Sequence, residues 1–379
     1  MALSKIDVAN MVENQMPQAN LADNINFRNI VINGDMSVSQ RTTSTSGVST
    51  TGQFVLDRWK LNVDSMGAWT ISQSTDVPTG QGFASSMKWD CTTADASPSA
   101  DDNIQLQQRF EGQNLQYLKK GTSSAESTTL SFWVKSNKTG TYICELRDKD
   151  NSNRHINKSY TISSANTWEK KTITFAGDTT GTLTNDNSTS IDLNFWLAAG
   201  STYTSGSLQT SWGASTSANR AVGQVNLADS TSNEWYITGV QLETGTTASD
   251  FEFLPVDVNT ARCHRYFVRQ QRYATAVCDK WTTNKLYAPL NLPQPLRGLP
   301  TVKKSDGSTS DIVIATNNNN RDSNADIHVI YGNDTDSDTG YNNFEQSKVT
   351  IVFNTSFNPN SSYAMNAIFN RELYIDAEL

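Results

Sequence analysis

Apolar and polar residues alternate with a period of two over short runs through most of this 379-residue chain, the spacing of half-buried β-strands. The clearest run lies in residues 233–253, NEWYITGVQLETGTTASDFEF, where Trp235, Ile237 and Val240 oppose Tyr236, Thr238 and Gln241. Gly239 interrupts the period there and predicts a bulge or a close approach by another segment. Upstream, residues 27–35 (FRNIVINGD) read as a short apolar strand ending in an Asn-Gly-Asp turn, an early partner for the later run. Between them lie FVLDRWKLNV, AWTISQS, SMKWDCT, NIQLQQRF, TTLSFWVKS, TYICELRD, KSYTIS, WEKKTITFA and SIDLNFWLAAG, separated by Ser/Thr/Gly/Asn clusters. In one of these Leu130, Phe132 and Val134 form the apolar face, with Trp133 opposite. About ten short strands at this spacing, with no intervening helical layer, predict a two-sheet sandwich, most simply a jelly roll.

Helical periodicity is confined to two places. Ser4 followed by Asp7 has the form of a capping box, and a short helix is expected over residues 4–14. NLQYLK, residues 114–119, reads as a single turn. Composition shifts after residue 254. The expected organisation is therefore an all-β chain with an N-terminal arm (1–26), a large jelly-roll sandwich (27–256) and a smaller β-domain (257–379). In the last of these, runs such as SDIVIAT, DIHVIYG and KVTIVFN are again strand-like. No Pro-rich or charged linker separates the two β-units, so they are expected to pack.

Composition narrows the class. Only 36% of residues are hydrophobic and 18% charged, the balance being neutral-polar, yet 9 Trp, 12 Tyr and 14 Phe supply enough apolar area to exclude a disordered chain. A formal net charge of −8, with no long basic run, argues against nucleic acid as a partner. Cys91, Cys144, Cys263 and Cys278 show no CxxC spacing; a Cys263–Cys278 disulfide is geometrically open, but buried free thiols are the expected state. The first fifteen residues hold no apolar run long enough for a signal peptide or membrane span, so membrane insertion is not expected. Secreted-like composition without a leader fits a virion protein released by lysis.

Several quoted segments carry a resemblance. NFRNIVINGDMSVSQR (26–41), FVLDRW (54–59), GVQLETGTTASDFEFLPVDVNTARCHRYF (239–267) and YIDAEL (374–379) resemble a recurrent type of bacteriophage tail-fibre or virion-appendage protein. SKIDVANM (4–11) is similar to N-terminal attachment segments of cyanophage-like structural proteins. The spacing of the Asn-Gly turn and the GVQLE strand also resembles jelly-roll carbohydrate-binding modules. The resemblance implies a non-enzymatic virion protein, trimeric, anchored to neighbouring virion proteins by its N-terminal arm through Ile6, Val8, Met11 and Val12. Its β-domains would be displayed toward host surface glycans. The alternatives are a capsid-decorating or neck protein without a receptor role, and a glycan-degrading tailspike.

Sugar binding needs aromatic faces beside amide and carboxylate groups. Trp212, in the small polar run TSWGAST, is the leading surface candidate, followed by Tyr203 and Trp281; Trp133, Trp196 and Tyr287 are further ones. For each of them core packing is the plainer reading. Asp334, Asp336 and Asp338 with Glu345 could ligate Ca²⁺, but Gly340 falls one place later than the Ca²⁺-loop pattern requires. A solvated acidic hairpin loop is the preferred reading, and no other cofactor is expected. No catalytic constellation emerges: Asp90, Glu145, Asp192 and Glu243 are strand carboxylates with no fixed pairing, and His155 reads as a solvated turn residue.

Overall fold

The computed structural model describes residues 27–271, 275–282, 285–298, 300–304, 312–316, 321–330, 348–354, 365–368 and 372–379. Side chains are described at 27–271, 289–298, 300–304 and 372–379. The expected helix at 4–14, with Ile6, Val8, Met11 and Val12, and the acidic group Asp334, Asp336, Asp338 and Glu345 lie outside the described residues.

Twelve strands build the sandwich: β1 Ser44–Val48, β2 Gln53–Phe54, β3 Lys60–Asp64, β4 Ala68–Ser74, β5 Ser86–Thr93, β6 Asn103–Glu111, β7 Thr128–Ser136, β8 Gly140–Asp148, β9 Arg154–Ile162, β10 Glu169–Phe175, β11 Thr189–Ala199 and β12 Glu234–Thr244. They form two antiparallel sheets, β1-β4-β5-β12-β7-β10 and β2-β3-β6-β11-β8-β9. From β5 to β12 the chain crosses between sheets in the jelly-roll order, giving β5-β12-β7-β10 over β6-β11-β8-β9, with β1–β4 widening both edges. The predicted all-β sandwich is the observed fold.

Alternation explains the core. Ile104, Leu106 and Phe110 of β6, Leu193, Phe195 and Leu197 of β11, and Leu130, Phe132 and Val134 of β7 all point into one cluster with Trp59, Trp69, Trp89 and Trp235. Phe132 meets Phe195 at 5.1 Å and Tyr160 at 5.0 Å, both edge-on, the geometry favoured by ring quadrupoles. Each such buried side chain contributes roughly 1.5–3 kcal/mol.

Strand β12 is buried on both faces from Trp235 to Glu243. Its ladder to β7 shifts register between Thr238 and Gln241. Gly239 sits in that bulge at φ 62°, where a Cβ would lie 2.5 Å from the Phe83 ring, so the glycine serves both purposes expected of it. Phe83, Phe251 and Phe253 pack mutually at 4.9–5.1 Å beside it.

Residues 27–35, expected as a strand, are not one. The segment instead stitches the two sheets together at one end of the sandwich. Ile30 N donates to Leu242 O (2.8 Å) and Val240 N to Gly34 O (2.9 Å) on the β12 side. On the β6 side the Gln108 amide bonds both the N–H and the C=O of Ile32 (2.8 and 2.9 Å). These backbone groups find a side-chain amide rather than a strand, which period-two patterning does not encode. FVLDRWKLNV is likewise broken: β2 and β3 flank a loop in which Arg58 adopts φ 71°, a left-handed conformation rare outside glycine.

Beyond the sandwich come helix α1 (Val256–His264) and β13 Phe267–Gln270, β14 Thr275–Thr282, β15 Lys285–Asn291, β16 Thr301–Lys304, β17 Ile312–Thr316, β18 Arg321–Ile330, β19 Lys348–Asn354, β20 Met365–Ile368 and β21 Leu373–Asp376. Strands β13-β21-β16 form a small sheet, and β14-β15-β19-β18-β17-β20 close into a barrel. Residues 254–267, just past the shift in composition, form a clamp. Asn259 accepts from Asn33 N (3.3 Å) and donates to Asp35 (3.1 Å) and Ser37 (3.0 Å). Arg265 binds Glu111 through two bonds (2.8 and 2.7 Å), and Tyr266 donates to the same carboxylate (2.6 Å). The buried Arg58 guanidinium lies 3.4 Å from the Tyr266 ring centroid, pairs with Glu378 and donates to Arg109 O (2.6 Å). Cys91, Cys144 and Cys263 are buried free thiols, as expected.

Two stability outcomes follow from this packing. Arg58→Met strands the Glu378 carboxylate and is expected to cost about 3–5 kcal/mol, read as a lower urea midpoint; an unchanged midpoint refutes the clamp. Gly34→Ala would place a Cβ 2.1 Å from Val240 O, whereas nothing lies within 4 Å at Gly298. Calorimetry should therefore show a loss of about 1–3 kcal/mol for Gly34→Ala and almost none for Gly298→Ala.

Candidate functional site

The outward residues of the second sheet are polar in cross-strand rows, because inward positions take the apolar half of the alternation. One row runs Arg109, Asp192, Arg147, His155 across β6, β11, β8 and β9. The next runs Lys60, Gln107, Asn194, Glu145, Asn157, and the third Asn62, Gln105, Trp196, Ile143, Ser159.

Residues 200–225 roof the β8–β9 half of this face. The loop pairs with β9 as an extra edge, through His155 N to Gly213 O (3.1 Å) and Asn157 N to Gln209 O (2.8 Å). It is fastened by Arg220, whose guanidinium makes two 2.7 Å bonds to Glu145 and lies 4.8 Å from the Trp196 ring centroid. Burial alone would raise the Glu145 carboxyl, but the Arg220 guanidinium, with Arg147 behind it, holds it below the usual carboxylate range.

His155 is thus corrected from a solvated turn residue to a buried strand residue. Its Nδ1 bonds Asn157 Oδ1 (2.8 Å) and its Nε2 accepts from Thr216 N (3.2 Å), a pairing that requires the neutral ring. Burial, the largest influence, lowers its pKa accordingly.

The β3–β6–β11 half has no roof. Here Asp192, only 1% exposed, is surrounded by Lys60, Arg109, Arg147 and Lys149. Arg109 Nε is 3.5 Å from Asp192 Oδ1, and Gln107 reaches Oδ2 at 3.4 Å. Burial raises the Asp192 carboxyl against the pull of Arg109, Lys149 and Arg147. Burial and mutual repulsion lower Lys60 and Lys149. Asp192 Oδ1, Arg147 Nε and Trp196 Nε1 are buried without a hydrogen-bond partner. Buried polar atoms are normally paired; Trp196 Nε1 lies under the roof, and Arg41, Arg58 and Glu378 at the clamp carry unbonded atoms too.

The aromatic candidates are distributed differently. Trp212 is half-buried rather than a free surface ring: its indole N–H donates to Ala176 O (2.7 Å), and the buried Lys120 ammonium lies 4.7 Å from its ring centroid. Lys120 itself is held by Asp148 and Asp178, so Trp212 caps an ion cluster. Tyr203 packs on the fully buried Trp196, centroids 5.2 Å apart, within the roof. Trp212 and Tyr203 are therefore not brought into one platform. Trp133 is half-buried on the outside of the other sheet; Trp281 and Tyr287 occupy β14 and β15, their side chains outside the described residues. Of the strand carboxylates, Asp192 and Glu145 share this face, but both Glu145 oxygens are occupied. Among the described residues no cluster is arranged to hold a metal.

Sequence reading missed Lys60, Arg109, Arg147 and Lys149. The available signal was the strand alternation itself, with Gln105, Gln107 and Arg109, and then Glu145 and Arg147, at every second position.

No known family profile matches the chain, and no curated protein matches it in sequence. Among solved structures it is similar to the enzymatically active domain of tailspike protein 4 of bacteriophage CBA120, at 14% identity and TM-score 0.30, over 57% of this chain and 22% of that one. The carbohydrate-binding module TmCBM61, solved with β-1,4-galactotriose, matches at 13% identity and TM-score 0.28 over 57% of this chain and 99% of its own. A family 11 carbohydrate-binding module from a cellulosomal cellulase of Clostridium thermocellum gives 13% and 0.27, covering 54% and 97%. Overlays this loose transfer no residue roles, and the chain spans about a fifth of the tailspike's length.

Glu145→Gln is expected to release the roof by removing the charge that Arg220 binds. Limited proteolysis should then cut within residues 205–216 at least tenfold faster, the local loss being about 3 kcal/mol. Unchanged cleavage would show that the backbone pairing to β9 alone holds the loop.

Proposed function

We propose that this chain is a non-enzymatic virion-appendage protein of a bacteriophage, in which the sandwich binds host-surface glycan on the unroofed outer face of its second sheet. The observation that carries the glycan reading is the pair of buried polar atoms left without a hydrogen bond beside the basic row, Asp192 Oδ1 and Arg147 Nε. These lie among the amides Asn62, Gln105 and Gln107, donors and acceptors of the kind that read sugar hydroxyls. The virion role rests on the resemblance of residues 26–41, 54–59 and 239–267. In that role residues 1–26 dock the protein on the particle through Ile6, Val8, Met11 and Val12, and three copies assemble into the appendage.

The test is binding of full-length protein to extracted host-surface polysaccharide. Asn62→Ala combined with Gln105→Ala should weaken it about tenfold, the loss of one to two hydrogen bonds, with thermal unfolding little changed. Lys88→Ala, on the other sheet, serves as control. If the control variant loses binding and the double variant keeps it, the site is misplaced.

A further inference from the structure

Four cations, Lys60, Arg109, Arg147 and Lys149, lie around the carboxylate of Asp192 on this face. Opposite charges normally alternate across neighbouring strands, and like charges brought together weaken a sheet. The excess is more conspicuous because the whole chain carries a net charge of −8. Arg109, Asp192 and Arg147 are direct cross-strand neighbours, so one carboxylate stands between two guanidinium groups and satisfies neither fully. Arg109 Nε stops 3.5 Å short of it and donates instead to Gln107 Oε1 (2.9 Å), while Arg147 Nε has no hydrogen-bond partner. The second carboxylate on the face does not help: Glu145 is committed to Arg220 and Asn194.

Resting on the glycan reading above, we infer that the face selects anionic glycan, a chain bearing carboxylate or phosphate groups, with Arg109, Arg147, Lys149 and Lys60 receiving the charge. Guanidinium forks match both groups in shape and bind them by charge-assisted bonds. The lysines add unfixed positive charge that reaches an anion from a range of positions. Asp192 plays the opposite part. It holds the cations in place in the unliganded protein and competes with the ligand's anion, so an incoming charge must be well placed to displace its pull. The amides of the other two rows then read the neutral part of the sugar.

Paired probes with the same backbone separate the parts of this proposal: polygalacturonate against its methyl ester for carboxylate, and phosphomannan against unphosphorylated mannan for phosphate. At ~50 mM salt the full-length protein should bind at least one charged polymer about tenfold tighter than its neutral twin, and the gap should shrink as salt screens it. Arg109→Gln with Lys149→Gln should abolish that preference while leaving binding of the neutral polymer intact. Asp192→Asn should tighten the charged polymer several-fold, a gain that a merely structural ion cluster would not give; circular dichroism checks that each variant is folded. The inference is overturned if charged and neutral twins bind alike while Asn62→Ala with Gln105→Ala still weakens both, an outcome that leaves the glycan reading standing. Duplex DNA binding as tightly as the charged polymer overturns it too. Failure of every polymer and of the host polysaccharide alike sinks the glycan reading itself.

Discussion

The Arg58 side chain joins three parts of the molecule, and Arg41 beside it bridges Phe54, Phe267 and Asp376 in the same way. The Arg58 guanidinium reaches the β6 backbone at Arg109 O, the Tyr266 ring at the exit of α1, and the Glu378 carboxylate beyond β21. A buried guanidinium carries a desolvation cost of several kcal/mol. That cost is met here by a carboxylate, a carbonyl and an aromatic face together, so the arrangement is stable only with all three in place. The backbone reflects this demand: φ of 71° at Arg58 turns the side chain off the strand path and into the junction. Asp57 beside it is pushed up to about 6 by burial, against Arg41 and two hydrogen bonds from Gln40. The same constraint reaches the candidate site, because the carbonyl that Arg58 holds belongs to Arg109.

Most of the sandwich was legible because its strands are half-buried, and half-burial writes itself into sequence as alternation. The single turn expected at residues 114–119 is also present, as short 3₁₀ turns at Gly112–Asn114 and Gln116–Leu118. What failed was structure whose hydrogen bonds go to side chains. Residues 27–35 look like a strand by composition, but Gln108 and Asn29 take the places a neighbouring strand would fill. The motifs singled out by resemblance converge on this region and on the clamp: Asn33, Arg58, Asn259, Tyr266 and Glu378 come from four separate segments. In this chain those segments meet at a packing junction.

The site was illegible for a different reason. Its charged residues lie decades apart in sequence, and only register brings Arg109, Asp192 and Arg147 into one row. That register depends on irregularities at Thr189/Ile191 and Trp196/Ala198, which shift β11 against β6. A slip of one residue would turn this row into the core. No reading of periodicity alone places two such shifts, so the basic cluster was invisible as a run. Trp212 and His155 were misplaced by the same blindness to the roof, which pulls one over Lys120 and buries the other under Gly213 and Thr216.

The two outer faces of the sandwich differ in how their charges are paired. The first sheet also carries charges and aromatics, but they are matched: Lys88 binds Glu234 (2.6 Å), Tyr236 donates to Glu234 (2.8 Å), Lys135 binds Asp76, and Trp168 donates to Asp76 (2.9 Å). On the second sheet the positive charge is in excess and hydrogen-bonding capacity is left over beside Asp192. Leaving charged groups half-satisfied costs stability, and nothing else in the packing of β6, β11 and β8 requires it. The two outer faces thus differ in charge balance: ion pairs run along the first, while on the second Asp192 Oδ1 and Arg147 Nε stay unbonded among four cations.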